Sequence, residues 1–404
     1  MFCALLSFEK IFRVRYLTYI AACIFLFSCV NTQKKSTPIL GSITVSPDTS
    51  MPVKEEIYNS KTALKLDSLF KIWCKTNRFN GNVLIAQHGK IIYKKCFGYA
   101  NFETKEPLQY NSAFQLASVS KQFTATAIMI LKEKGKLNYI DFVCSFFPDF
   151  PYKDITIQML LTHRSGLANY MYFCEKYCSD HDSPISNQDV VKLMIDNKPE
   201  TYKKPDRRFY YNNTNYCLLA AIVEKISGMH FGEFVKQEIF IPLDMKNTWI
   251  KSSPADTLNP HVTLGYESIW KKGETNYLDG VVGDKNVYST IEDLYKWDQA
   301  LYTEKILKQS TLSEAFEPHS KELRRGIKNY GYGWRLLNYP DGTKIIYHNG
   351  WWHGYNTSFY RRLNDHTTII ILSNRKNKGI FQTQSIFNIL DGPGLDIGEE
   401  EEDT

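Results

Sequence analysis

Two β-rich runs near the start of the chain, several more near its end and a helical block between them predict an α+β protein. Both chain ends would build one antiparallel sheet flanked by helices. The middle, about residues 145–285, would form a mostly helical lobe, with a cleft between lobe and sheet as the natural place for a site. At 404 residues, with 43% hydrophobic and 23% charged residues, the chain is long enough for a large core.

The elements follow in order. Lys10, Arg13 and Arg15 precede an apolar run from Leu17 to Phe27. A basic segment before a short apolar one has signal-peptide form. The run ends in Leu26-Phe27-Ser28-Cys29, which resembles the lipobox of bacterial lipoproteins and makes Cys29 the expected lipidated residue. An uncleaved membrane anchor is the other reading of residues 1–28. Residues 29–59 are polar and rich in Ser, Thr, Lys and Pro, as a flexible tether would be. The main domain is expected over residues 60–392 and an acidic tail over residues 393–404. The chain is therefore expected to be exported and held on the cell envelope by lipid.

Leu64, Leu66, Leu69, Phe70 and Trp73 are spaced for a helix over residues 61–78. Asn82–Gln87 and Lys90–Phe97 flank His88-Gly89, a hairpin signal. Phe123, Ala127, Ile130 and Leu131 fall on one helical stripe that Gly135 stops. Helices are expected at Tyr216–Ile226 and Ile291–Leu301. Strands are expected at Tyr332–Leu337, Lys344–His348, Tyr355–Arg361 and Thr367–Leu372, with a last helix at Ile380–Leu390.

Composition narrows the function. The formal charge of +6 is weakly basic, and no dense Lys/Arg patch interleaves with aromatics, so nucleic acid is not an expected partner. Six of the nine cysteines lie between Cys74 and Cys217. An even number in an exported chain permits disulfides, of undetermined connectivity. Cys174 and Cys178 could be a pair or half of a metal site, but no second Cys/His cluster of zinc spacing accompanies them. No P-loop, His-Glu-x-x-His, Gly-x-Gly-x-x-Gly or Gly-x-Ser-x-Gly pattern occurs, and no cofactor is expected.

Three patterns do carry chemistry. Ser118-x-x-Lys121 is one of five Ser-x-x-Lys matches, yet it alone opens a buried helical stripe. Tyr211-x-Asn213 lies just before a helix, and His348-x-Gly350 closes a strand. A serine hydroxyl is a weak nucleophile until a neighbour removes its proton. Three residues apart at a helix start, Ser118 and Lys121 face the same way, so the amine can reach the hydroxyl. Tyr211 could share that proton or pass it to a leaving group. His163, in Met159–Leu167, is read as structural.

With "FQLASVSKQFTATAI", "MLLTHRSGL", "FYYNNTNYCLLAAIVEKISG", "IFIPLDMKNTW", "GVVGDKNVYSTIEDLYKWDQAL", "YGYGW" and "HNGWWHGY", the chain resembles the serine β-lactamase-related family. The likeness is to the branch of class C β-lactamases and D-Ala-D-Ala carboxypeptidases, from about Leu64 to Leu390. It implies the β-lactamase/transpeptidase fold and acyl transfer through a serine ester. It also implies an oxyanion hole from the backbone N–H groups of Ser118 and Trp351, the latter just after Gly350. Asn213 would hold the substrate amide or the Lys121 amine, and His348 would line the opposite wall, the other reading of His348 being a satisfied structural histidine. Trp351-Trp352 reads equally as a substrate-facing wall or as strand packing.

One departure bears on substrate. The family's Lys-Thr-Gly or Lys-Ser-Gly, whose cation and hydroxyl grip a substrate carboxylate, occurs nowhere in the chain. His348-Asn349-Gly350 stands in its place, which argues against efficient β-lactam hydrolysis. The expected function is a serine hydrolase acting on an ester or amide, such as a D-amino-acid or peptidoglycan-related peptide. A penicillin-binding-like sensor that does not turn over is the alternative. The sequence leaves the oligomeric state open.

Overall fold

The structure, a computed structural model, describes residues 53–55, 60–76, 79–252, 260–268, 271–323 and 326–397. The leader, Cys29, nearly all of the tether and the end of the acidic tail lie outside the described residues.

Eight strands form one antiparallel sheet in the order Val53–Glu55, Lys90–Phe97, Gly81–Gln87, Thr367–Ser373, Tyr355–Arg362, Lys344–Trp352, Arg335–Asn338 and Lys328–Tyr330. Both ends of the expected main domain thus meet at its centre, where Gly81–Gln87 pairs with Thr367–Ser373. Side chains alternate between two cores, as the two-residue period of a strand requires. Val83, Ile85, Ile345, Tyr360, Ile369 and Ile371 pack on the outer face. Leu84, Ala86, Ile346, Phe359, Ile370 and Leu372 face the larger inner core shared with the helical block.

The outer face is covered by the helices Lys61–Lys75 and Gln384–Asp391. Ser60 caps the first, accepting from the Ala63 N–H at 3.1 Å, and the helix buries Ala63, Leu66, Phe70 and Trp73. The second begins later than expected because Lys378–Phe381 is a separate 3₁₀ turn, capped by the Asn377 side chain. Leu395 and Ile397 pack on this face too, so the expected tail begins inside the fold.

His88 and Gly89 both take positive φ, 52° and 66°, as a tight hairpin turn requires. Two strand expectations need correction. Lys344–His348 continues to Trp352, so His348 sits mid-strand opposite Phe359 rather than at a strand end. Tyr332–Leu337 is not one strand. Gly331–Trp334 is a turn between Lys328–Tyr330 and Arg335–Asn338, closed by the Gly331 N–H donating to the Trp334 carbonyl at 2.8 Å.

The helical block contains Ile157–Leu161, Tyr170–Tyr177, Asn187–Asn197 and Asn213–Ser227. In the last, the Asn212 side chain accepts from the Thr214 N–H and Gly228, at φ 70°, ends the helix. All six cysteines of the described residues are free thiols, so none of the permitted disulfides forms there.

Candidate active site

Ser118 lies on a 3₁₀ turn, Ala117–Ser120, and the α-helix proper, Lys121–Glu133, begins at Lys121. The expectation that both lie on one α-helix is corrected, but its consequence survives: residues i and i+3 eclipse in a 3₁₀ turn. The Lys121 amine reaches Ser118 Oγ at 3.1 Å. Ala117, just before the nucleophile candidate, has φ 49°. A side-chain-bearing residue in that region costs on the order of 1–3 kcal/mol, which the surrounding packing must offset.

Every residue from Lys121 to Ile130 is buried, so the helix is a central pillar rather than an amphipathic surface element. Lys121 is 0% exposed. Its amine finds acceptors in Ser118 Oγ, in Asn213 Oδ1 at 2.8 Å and in the Asp284 carbonyl at 2.9 Å. An ammonium taken from water needs such partners. The segment carrying Asp284 is tied to the same helix start. Gly283 accepts from Thr124 Oγ1 at 2.6 Å, and the Val287 N–H donates to Ser120 Oγ at 3.1 Å.

Tyr211 and Asn213 come from the start of Asn213–Ser227. The Tyr211 ring lies 5.0 Å from the Lys121 amine and 5.3 Å from the Arg335 guanidinium. Asn213 turns its oxygen to Lys121 and its Nδ2 to Met171 Sδ at 3.1 Å.

The strand Lys344–Trp352 forms the other wall. A Cβ added to Gly350 would meet the Leu116 carbonyl at 2.5 Å and the Ser118 nitrogen at 2.8 Å. Only glycine lets this strand lie so close to the nucleophile segment. Thr357 Oγ1, on the neighbouring strand, donates to the same Leu116 carbonyl at 2.8 Å. Trp351 is 58% exposed, so its side chain is not packed in the core. Trp352 instead donates from Nε1 to Asp279 at 3.0 Å.

His348 departs from its expected place. It is 1% exposed, with Nδ1 2.7 Å from the Asn349 carbonyl and Nε2 3.2 Å from the Tyr330 hydroxyl. Burial, with the charges of Arg335 and Lys121, holds it well below the usual imidazole range, so it is neutral at pH 7. With both ring nitrogens engaged, it acts behind the wall rather than on its surface. His163, fully buried, is depressed by burial first and by Lys121, His348 and Arg335.

The structure therefore brings together Ser118, Lys121, Tyr211, Asn213, His348 and Gly350. Three contributors escaped the sequence reading: the Asp284 carbonyl, Tyr330 and Arg335. A carbonyl leaves no residue-type signal. Tyr330 and Arg335 bracket Gly331–Trp334, whose alternation imitates a strand.

Known proteins resemble the chain over most of its length. The family described as Beta-lactamase matches residues 72–389. Penicillin-binding protein 4* of Bacillus subtilis (strain 168) is 37% identical over 354 residues, covering 83% of this chain and 77% of that protein. The teichoic acid D-alanine hydrolase of Staphylococcus aureus is 27% identical over 339 residues, covering 83% and 79%. The crystal structure of D-amino acid amidase from Ochrobactrum anthropi SV3 shares the fold, with a TM-score of 0.70 at 22% identity, over 82% of this chain and 98% of that one. The chain belongs to the β-lactamase family of serine hydrolases.

Proposed function

We propose that this chain forms an acyl-enzyme on Ser118 and hydrolyses an ester or amide of a D-amino acid, with a terminal D-alanine as the leading substrate. The observation that carries the reading is the buried Lys121 amine 3.1 Å from Ser118 Oγ, anchored on its far side by Asn213 and Asp284. Once it has given up its own proton, the Lys121 amine would take the hydroxyl proton as Ser118 attacks the carbonyl carbon. Tyr211 would relay that proton to the leaving group. The N–H groups of Ser118 and Trp351 would hold the oxyanion, each donor lowering the barrier by about 3–4 kcal/mol. Water would then release the acyl group and regenerate Ser118.

Two features support the substrate class. The relative from Staphylococcus aureus is a D-alanine hydrolase by name, and the one from Bacillus subtilis a penicillin-binding protein. The site also has a cation that the His-Asn-Gly strand does not supply: Arg335 beside Tyr211. A guanidinium matches a carboxylate in a forked geometry, so a C-terminal D-residue would be held there. Export and lipid attachment at Cys29 would place the hydrolase on the envelope, beside such substrates.

The reading is tested by labelling the protein with a fluorophosphonate and a fluorescent penicillin, wild type against Ser118→Ala. A D-Ala-D-Ala peptide, p-nitrophenyl esters and nitrocefin are then compared as substrates. A Ser118-dependent adduct with turnover of the D-alanyl compounds is expected, and nitrocefin should be the poorest substrate. Absence of any Ser118-dependent adduct would sink the proposal, and turnover confined to short acyl esters would make the protein an esterase.

A further inference from the structure

Two imidazoles and a phenol form a buried line across the base of the site. His163 is 0% exposed, and Tyr330 and His348 are each 1% exposed. His163 Nδ1 lies 3.1 Å from the backbone nitrogen of Asn212 and 3.0 Å from Asn215 Nδ2. A backbone N–H can only donate, so His163 Nδ1 accepts. In the neutral ring Nε2 then carries the proton, and it points to the Tyr330 hydroxyl at 3.2 Å.

The other end fixes itself independently. His348 Nδ1 faces the Asn349 carbonyl at 2.7 Å, and a carbonyl can only accept, so Nδ1 is the protonated nitrogen. His348 Nε2 therefore holds a lone pair, and its neighbour at 3.2 Å is again the Tyr330 hydroxyl. Tyr330 accepts from His163, and its own proton has two acceptors in reach, His348 Nε2 and the Tyr216 hydroxyl, which itself donates to the Leu161 carbonyl. With the Tyr330 proton on His348, all four bonds run in one direction, from the Asn212 N–H to the Asn349 carbonyl.

The two ends belong to opposite walls. Asn212 caps the helix that begins with Asn213, the partner of Lys121. Asn349 lies between His348 and Gly350, the glycine pressed against Ser118. We propose that Tyr330 is a positioning residue: through His163 and His348 its hydroxyl ties the Tyr211–Asn213 wall to the Asn349–Trp351 strand and holds both at the spacing acylation requires. Tyr330 itself touches no reacting atom in this arrangement.

The line works in one protonation state. An imidazolium at His348 could not accept from Tyr330, and one at His163 could not accept from Asn212. The charged groups around the two rings are Lys121 from the nucleophile helix, Arg335 from the adjoining strand and each other. Tyr211 and Tyr216 pack on His163, with ring centroids 4.4 Å and 5.0 Å away, and Tyr211 also faces His348 at 6.1 Å. Among the described residues the charged side chains that act on both rings are Lys121 and Arg335, and both oppose an imidazolium.

Two measurements on the purified full chain test this. Ring-nitrogen NMR of the wild type at neutral pH should find His348 protonated on Nδ1 and His163 on Nε2. Tyr330→Phe keeps the ring and removes the hydroxyl. It should lower the rate of Ser118 labelling by fluorophosphonate at least tenfold. It should also move the acid limb of the labelling rate to higher pH, because His348 loses the donor that favours its neutral form. Labelling by Tyr330→Phe within twofold of wild type, with an unmoved acid limb, overturns the proposal. So does a wild-type His348 protonated on Nε2, which decides the matter even where Tyr330→Phe does not fold. The kinetic arm rests on the hydrolase reading. Its failure would appear as no labelling in the wild type, which the tautomer measurement does not depend on.

Discussion

At the scale of single residues, the site depends on two close approaches, one of charge and one of backbone. Arg335 stands over the Tyr211 ring, and in the proposed reading its guanidinium holds the substrate carboxylate. Replacing it with alanine should raise KM for a D-Ala-D-Ala peptide by about tenfold or more, as expected for one lost charge-assisted hydrogen bond of about 1.5–3 kcal/mol. An uncharged p-nitrophenyl ester should be nearly unaffected. Steady-state kinetics on the two substrates decides it, and equal losses on both would remove the carboxylate role. Gly350 is the backbone case. A methyl group there would collide with the Leu116 carbonyl and crowd the Ser118 nitrogen, and both are main-chain atoms that cannot swing aside. Gly350→Ala should therefore push the strand Lys344–Trp352 away from Ser118 and, in the proposed mechanism, slow Ser118 labelling about 100-fold. That corresponds to the loss of roughly one oxyanion donor. A labelling rate close to wild type would show that the strand tolerates the shift.

At the scale of elements, one buried ion pair locks the helix Ile291–Ala300 to the sheet. Asp298 and Arg361 are both 0% exposed and 2.5 Å apart. Arg361 also donates to the Asp298 carbonyl at 3.1 Å, and Thr368 Oγ1 donates to Asp298 Oδ2 at 2.7 Å. Removing one partner strands the other charge in the core, which costs about 3–5 kcal/mol. Asp298→Ala should lower Tm by several degrees in calorimetry, and a double replacement, Asp298→Leu with Arg361→Met, should recover much of the loss. A single variant as stable as wild type would show that the pair contributes little. The elements also show what the sequence makes legible. Period-two and helical patterns place the hairpin at His88-Gly89, the central strands and most of the long helices, because those patterns report burial directly. They misplace the strand at Tyr332 because Tyr-Gly-Tyr-Gly-Trp alternates large and small without being extended. Gly333 sits at φ 79°, and a Cβ there would meet the Lys121 carbonyl at 2.9 Å. The motifs pick out Ser118, Lys121, Tyr211 and Asn213, which the fold brings together because each lies at or just before a helix start. They leave His348 open between a wall and a structural role, because whether a histidine faces a cleft or a buried tyrosine depends on strands far apart in sequence.

At the scale of the whole molecule, the buried histidines should make the fold sensitive to mild acid. His163 and His348 are held well below the usual imidazole range, chiefly by burial, and His319 is lowered in the same way. In the unfolded chain these rings regain a value near 6.5. Below that pH the unfolded state binds more protons than the folded one, so stability falls as pH falls. The loss begins near pH 6.5 and continues until the depressed folded values are reached. Each fully buried ring contributes roughly 1.4 kcal/mol per pH unit in that window. Carboxylates act elsewhere. Asp279 and Asp365 are held low by hydrogen-bonded and charged neighbours, so their stabilisation is present above the usual carboxylate value and fades only below about pH 4. Between pH 7 and pH 5 the histidines should therefore dominate, and urea unfolding midpoints at pH 7, 6 and 5 should decline steadily. A midpoint that is flat to pH 5 would mean that the rings are already charged in the fold or reach protons without unfolding. Either outcome would also undo the one-directional line through Tyr330, so the same titration bears on how the two walls of the site are held together.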